Sequence, residues 1–176
     1  MRDPSEVTKR TRYFFDTEFL EDGSTIELVS IGVVCEDGRE YYAVSTDFDP
    51  EKAGPWVREH VIPQLPSPSD PAWKSRETIR DELLKFLTAD RRDPETWAWY
   101  GDYDHVVLCQ LWGTMPDLPR ALPRFTRDLR QEWEQLGAPE LPKQESGRHH
   151  ALEDARHNAR IWATLEAERE RLGWVL

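Results

Sequence analysis

An apolar segment near the start of the chain carries two acidic residues, and this combination restricts the fold more than any other feature. Residues 12–20 read RYFFDTEFL, in which side chains typical of a buried strand surround Asp16 and Glu18. Because strand side chains alternate between faces, both carboxylates point to the same side. Asp-x-Glu also occurs on solvated sheets, but two buried carboxylates repel each other unless cations lie between them. Hard ions such as Mg²⁺ and Mn²⁺ prefer such oxygen ligands.

Length and charge limit the function classes that remain. The chain has 176 residues, which is typical of one domain, so we predict a flexible polar lead at 1–11 and a single domain at 12–176. A formal net charge of −11 argues against a surface that coats long nucleic acid, because such surfaces are usually basic. A small local site whose carboxylates bind cations stays compatible with that charge.

Targeting signals and cysteines point to the interior of the cell. The first ten residues, MRDPSEVTKR, lack the apolar stretch of a secretory signal, and no run of 18 apolar residues predicts a membrane span. Cys35 and Cys109 both occur in apolar segments, which predicts buried reduced thiols and a cytoplasmic location. No Cys/His spacing suggests a zinc site.

Periodicity and turn signals predict an α/β fold with a mixed five-stranded sheet flanked by helices. The sequence EDG at 36–38 is a hairpin signal, so the first three strands should form an antiparallel meander. The Pro-rich stretch at 63–73 is expected to be irregular. The predicted strands are 13–20, 25–35, 41–46, 96–101 and a short one within 122–129, and the predicted helices are 75–89, 104–113, 130–137 and one from 151 to about 172.

Further acidic residues stand where predicted strands or loops meet helices. Asp102 and Asp104 follow the strand at 96–101, and Asp154 lies early in the last helix, five residues after His149. Asp at a helix start is commonly just a stabilising cap; we assign Asp104 to the site and expect Asp102 to cap the helix. Five helical residues turn about 140° net, so His149 can approach Asp154 only if it belongs to the preceding loop. A His placed there can serve as a general base.

These residues, in this order, resemble the DEDDh family of 3′–5′ exonucleases. The first motif is Asp16-Thr17-Glu18, the second is Tyr103-Asp104 and the third, H-x-A-x-x-D, is the segment 149–154. Tyr100 occupies the region in which the family often carries an Asn, which leaves Asp102 as the alternative to Asp104. The resemblance covers about residues 12–165 and implies the ribonuclease H-like fold.

The resemblance also implies an activity and its residues. It implies two-metal hydrolysis of single-stranded RNA or 3′ overhangs to nucleoside 5′-monophosphates, with two Mg²⁺ or Mn²⁺ ions and His149 as the base. The implied ligands of the ions are Asp16, Glu18, Asp104 and Asp154. Phe19 is the expected stacking partner of the terminal base, although simple core packing would explain it equally well, and the amides of Thr17 and Phe19 would meet the ribose.

Three alternatives follow from the same residues. The chain could be a proofreading-type DNA 3′–5′ exonuclease, because metal ions contact phosphate rather than sugar. It could be a catalytically silent nucleotide- or nucleic-acid-binding domain, although all five chemical groups are present. It could also be an α/β interaction protein with solvated acidic faces. Trp-rich helices and the resemblance are compatible with a homodimer.

Overall fold

The structure, a computed structural model, describes residues 10–90 and 92–174. Most of the predicted lead at 1–11 therefore lies outside the described residues. Its last residue, Thr11, is the first residue of strand β1 and is buried. The single domain at 12–176 stays a prediction.

The described residues form one mixed sheet with six strands. The spatial order is β4-β3-β2-β1-β5-β6, and β1 pairs antiparallel with β2 but parallel with β5. The strands are β1 (Thr11–Glu21), β2 (Ile26–Cys35), β3 (Glu40–Ser45), β4 (Trp73–Lys74), β5 (Pro94–Ala98) and β6 (Arg127–Asp128). The predicted antiparallel meander of the first three strands is confirmed, with Gly38 at φ 90° in the β2–β3 turn.

The prediction of five strands is wrong by one. β4 lies at the end of the stretch that was predicted to be irregular, and it pairs parallel with the outer edge of β3. The amide of Val44 donates to the carbonyl of Ala72 at 2.8 Å, and the amide of Thr46 donates to the carbonyl of Lys74 at 2.9 Å. A two-residue strand has no periodicity of its own, so only its tertiary partner defines it.

Five α-helices cover the sheet in the described residues. Ser75 accepts a hydrogen bond from the amide of Thr78 at 3.2 Å and so caps α2. The short helix α1, which begins with a Pro, was not predicted. The helices are α1 (Pro55–His60), α2 (Arg76–Leu87), α3 (Asp102–Gln110), α4 (Leu129–Gln135) and α5 (Ala151–Arg171).

Strand β1 separates two apolar clusters. Tyr13 and Phe15 pack on the face covered by α2 and α3. Phe14 packs on the opposite face with Ile161 and Leu165 of α5. Continuing the alternation, Asp16 and Glu18 follow Phe14 on the α5 face. This explains how an apolar strand can deliver two carboxylates beside the last helix.

Gly32 lets α5 approach the sheet closely. It lies opposite Asp16 in the β1–β2 register, and a Cβ atom built on it would be 2.3 Å from the backbone Cα of Leu152. Any larger residue would therefore push away the first turn of α5. The side-chain amide of Asn158, which is buried, donates to the carbonyl of Phe15 at 3.1 Å and fixes the same helix farther along.

Candidate active site

A pocket of about 590 Å³ lies where β5 ends and β1 continues past it. We call it the acidic pocket, because four carboxylates from three separate segments line it. The alternative Asp102 does not line it, whereas all seven predicted site residues do: Asp16, Thr17, Glu18, Phe19, Asp104, His149 and Asp154. Their roles as ligands, base and substrate contacts stay predictions.

Glu18 is one of the four carboxylates that line the acidic pocket. It is only 8% exposed, and a register shift follows it in the pairing of β1 with β2. Potential ligand atoms of Glu18, His149 and Asp154 all lie within 4.8 Å of one another. Residues that are more than 130 positions apart in the sequence therefore meet at this point.

The second motif joins the pocket through Asp104, which is 6% exposed. Its Oδ1 accepts hydrogen bonds from the amide of Thr17 at 2.8 Å and from the Thr17 hydroxyl at 2.6 Å. Asp102 is exposed in the first turn of α3, and Gly101 occupies the N-cap position. The expectation that Asp102 caps this helix is thus wrong, although its charge still favours the helix N-terminus.

His149 belongs to the loop before α5, as the geometry of the third motif requires. Its backbone lies in the left-handed region at φ 65°, and α5 begins only at Ala151. Its amide donates to Oδ2 of Asp154 at 2.8 Å. Oδ1 of the same carboxylate accepts from Nε2 of Gln144 at 2.6 Å, so the Asp154 side chain is held from two sides.

Burial raises the pKa values of three carboxylates in the pocket. Burial, reinforced by Asp154 and Asp104, raises the pKa of Glu18 to about 8. Burial, followed by repulsion from Asp104, Glu18 and Asp154, raises the pKa of Asp16 well above its usual value. Burial also raises the pKa of Asp104 to about 6, against the lowering effect of the Thr17 hydrogen bonds. Electrostatic repulsion of this kind is relieved by bound cations.

The donor set fits hard divalent cations. Carboxylate oxygens are the ligands that Mg²⁺ and Mn²⁺ prefer, and cations are the simplest way to compensate four converging carboxylates. Asp16, Glu18, Asp104 and Asp154 are the residues that would hold such ions. His149 lies close enough to share the site and also to act on a neighbouring water.

An aromatic pair forms the wall next to the first motif. Phe19 is half-buried and stacks on Tyr103, with ring centroids 5.8 Å apart and an interplanar angle of 5°. Tyr103 is 53% exposed. The amide of Thr17, expected at the ribose, is engaged by Asp104 in this structure. Phe19 therefore combines contact with the core and access to the pocket.

Sequence reasoning missed several residues of the site. Gln144 lies in a loop without periodicity, and no local signal linked it to Asp154. Tyr103 was noted only as the aromatic before Asp104, yet its ring is part of the wall. Arg148 is exposed and lines the pocket. Its place directly before His149 was a signal from which the sequence could have indicated it.

The family of the chain follows from comparison with known proteins. A model of the 3′-5′ exoribonuclease Rv2179c-like domain matches residues 11–166. The chain therefore belongs to this family of exoribonuclease domains. It is similar to the 3′-5′ exoribonuclease Rv2179c of Mycobacterium tuberculosis (strain ATCC 25618 / H37Rv) and to the 3′-5′ exoribonuclease MT2234.1 of strain CDC 1551 / Oshkosh. Each relative is 62% identical over 150 residues, which cover 85% of this chain and 89% of the relative.

Solved structures share the fold at much lower identity. The nuclease domain of 3′hExo, described as a DEDDh family member bound to rAMP, has a TM-score of 0.56 and 14% identity, covering 90% of this chain and 92% of that one. Pop2p of S. pombe, in a form with Mg²⁺ and Mn²⁺ bound, has a TM-score of 0.57 and 13% identity, covering 94% and 85%. The predicted ribonuclease H-like α/β fold is confirmed. Within the described residues, no helix is both long and apolar enough to cross a membrane.

Proposed function

We propose that this chain is a 3′–5′ exoribonuclease that uses divalent metal ions to release nucleoside 5′-monophosphates from short single-stranded RNA or RNA 3′ overhangs. The observation that carries the proposal is the convergence of Asp16, Glu18, Asp104 and Asp154 beside His149 in one pocket. Membership of the Rv2179c-like family, whose relatives are named exoribonucleases, supports the same activity.

The residues of the pocket take distinct roles in this reaction. The four carboxylates would hold two Mg²⁺ or Mn²⁺ ions. When bound, the ions favour ionisation of the attacking water and stabilise charge on the phosphate and on the leaving 3′ oxygen. His149 accepts the proton of the attacking water. The new bond joins the water oxygen to phosphorus, the bond from phosphorus to the 3′ oxygen breaks, and that oxygen regains a proton from solvent.

Residues other than the four carboxylates position the RNA. Phe19, supported by Tyr103, offers a flat apolar surface for the terminal base, since single strands are bound mainly through base stacking. Thr17 fixes Asp104 from the strand side. Arg148 on the rim offers positive charge to a phosphate in an otherwise acidic pocket.

The test is incubation of the purified chain with 5′-labelled RNA and with a DNA of matched sequence, each with Mn²⁺ and with excess EDTA. We expect a ladder that shortens from the 3′ end of the RNA, only with metal. Undiminished cleavage in EDTA would exclude the metal-dependent mechanism. Preferential degradation of the DNA would favour the proofreading-type alternative, and the absence of cleavage with retained binding would favour a silent binding domain.

A homodimer remains part of the proposal. Two of the helical tryptophans, Trp133 and Trp162, pack against the chain's own core, so they offer less surface to a second copy than the sequence suggested. Trp56 and Trp174 are 52% and 53% exposed. Light scattering coupled to size-exclusion chromatography measures the mass directly, and a monomeric mass at every concentration would contradict the dimer.

A further inference from the structure

One residue of the acidic pocket has a backbone conformation that its side chain does not favour. Tyr100 lies between β5 and α3 with φ at 57°, in the left-handed region where glycine is the usual residue. Tyr100 is 62% exposed and lines the pocket. Because a glycine would suit this backbone better, the corner itself does not explain the tyrosine. Residues held in unfavourable conformations cluster at functional sites.

Neighbouring elements hold this corner in place. The carboxylate of Asp128, at the N-cap of α4, accepts hydrogen bonds from the amide of Gly101 at 2.8 Å and from the amide of Gln131 at 2.8 Å. The strained residue is thus joined to the start of α4 through its successor in the chain. The backbone of this corner is therefore tied to the start of α4 as well as to β5.

An arginine orients the exposed ring. Nε of Arg130 donates to the Tyr100 hydroxyl at 3.3 Å, while the guanidinium lies 4.3 Å above the ring of Trp133 and forms an ion pair with Glu134 at 2.7 Å. The ring of Trp99 lies edge-on to that of Tyr100, with ring centroids 5.8 Å apart. An exposed tyrosine without such support would sample several rotamers, so this arrangement reduces the entropy cost of binding a flat ligand.

We propose that Tyr100, positioned by Arg130, is a second nucleotide subsite that stacks the base next to the 3′-terminal one. This inference deepens the proposed exoribonuclease function and rests on it. Tyr100, Tyr103 and Phe19 line the same pocket, and Tyr103 stacks on Phe19, the side chain assigned to the first base. Successive bases of a single strand bind to successive aromatic side chains in this way. The chemical class of the ligand is a single-stranded oligonucleotide of at least two nucleotides.

The test combines a protein variant with a modified substrate. Tyr100→Gly removes the ring and also suits the left-handed backbone, so this variant should fold and melt at or above the temperature of the wild type. The substrates are a 5′-labelled RNA tetranucleotide and the same RNA with an abasic ribose at the penultimate position. Stacking of one base corresponds to about 5–150-fold in affinity.

We expect Tyr100→Gly to raise KM for the complete RNA by about 5–150-fold. On the abasic RNA, which has already lost the stacking base, the variant should differ from the wild type much less. Tyr100→Phe, which keeps the ring, should retain most of the difference between the two substrates. Phe125→Ala, which removes another exposed ring outside the acidic pocket, is the matched control and should lower activity on neither substrate.

Two outcomes separate the inference from the function on which it rests. Equal losses on both substrates in Tyr100→Gly, or no loss on either, would overturn the second subsite while leaving the nuclease intact. A wild-type chain that cleaves neither RNA in the presence of Mn²⁺ would overturn the proposed function itself.

Discussion

Thr17 donates two hydrogen bonds to a single oxygen of Asp104, from its backbone amide at 2.8 Å and from its hydroxyl at 2.6 Å. The two bonds join the first turn of α3 to the residue between Asp16 and Glu18. They bring the second motif to the first across 87 positions of sequence. Asp102, two residues earlier, has no such link and faces solvent.

This link predicts opposite phenotypes for the two aspartates. Asp104→Asn should nearly abolish RNA cleavage, because a metal-binding charge is lost from the pocket. Its stability without metal should be unchanged or higher, because a repulsive charge is gone. Asp102→Asn should remain active. Steady-state cleavage and thermal melting of both variants measure these effects, and an inactive Asp102→Asn with an active Asp104→Asn would reverse the assignment.

His149 and His150 are neighbours with different surroundings. His149 lies beside Asp154, whereas His150 stacks on Tyr42 with ring centroids 4.6 Å apart. We expect His149→Ala to slow cleavage by about 10²–10⁴-fold, the usual contribution of a general base. Metal binding, followed as a rise in melting temperature on addition of Mn²⁺, should persist. A larger rate loss in a folded His150→Ala variant would show that the third motif is shifted by one residue.

Phe19 should contribute to RNA affinity rather than to the chemical step. Its ring stacks on Tyr103 at the pocket wall, and loss of one stacked base costs about 1–3 kcal/mol. Phe19→Ala should therefore weaken inhibition by a short RNA with a nonhydrolysable 3′ linkage by that amount. Circular dichroism and melting establish that the variant is folded. Unchanged inhibition in a folded variant would assign Phe19 to the core alone.

The raised carboxylate pKa values predict how stability depends on pH without metal. Glu18 has a pKa of about 8 when folded, because of burial and repulsion, and an ordinary value near 4.3 when unfolded. The folded state thus binds more protons than the unfolded state between these two pH values. The stability that this difference contributes is fully present below about pH 4 and is lost as the pH rises towards 8. Asp104, with a pKa of about 6, acts in the same direction over a narrower range.

Divalent cations should reverse this trend. Melting temperatures in EDTA from pH 5 to pH 8 measure the decline, and the same series with Mn²⁺ measures the compensation, which should be largest at pH 8 because ligands must be deprotonated. Glu18→Gln should flatten the decline in EDTA and weaken the response to Mn²⁺. An equal Mn²⁺ effect at pH 5 and pH 8 would contradict a carboxylate site.

Gly32 should tolerate no side chain. A Cβ atom there would be 2.3 Å from the backbone of Leu152, so Gly32→Ala should displace the first turn of α5 and Asp154 with it. Overpacking of this kind costs about 1–3 kcal/mol, and we expect activity to fall beyond what the lost stability explains. Gly54→Ala is the control, because nothing lies within 4 Å of its built Cβ atom. Full activity of a folded Gly32→Ala would contradict the close approach.

Local sequence signals were sufficient for the long elements and for the chemical groups. The meander, the helix that begins after Ser75 and the final helix each have enough residues for a clear period. Asp16 and Glu18 were recognisable because burying two carboxylates in an aromatic strand is unfavourable unless bound cations compensate their charge. The short strand β4 and helix α1 were missed, since two and six residues carry too little pattern to define an element.

The sequence by itself determined which residue types are available and which lie on a common strand face. Only the tertiary structure decided that Asp104, not Asp102, reaches Thr17, that Gln144 holds Asp154 and that Tyr100 faces the pocket. Those relationships depend on side chains from separate elements meeting in space. Their geometry is set by close packing, such as α5 against Gly32, rather than by any local preference of the chain.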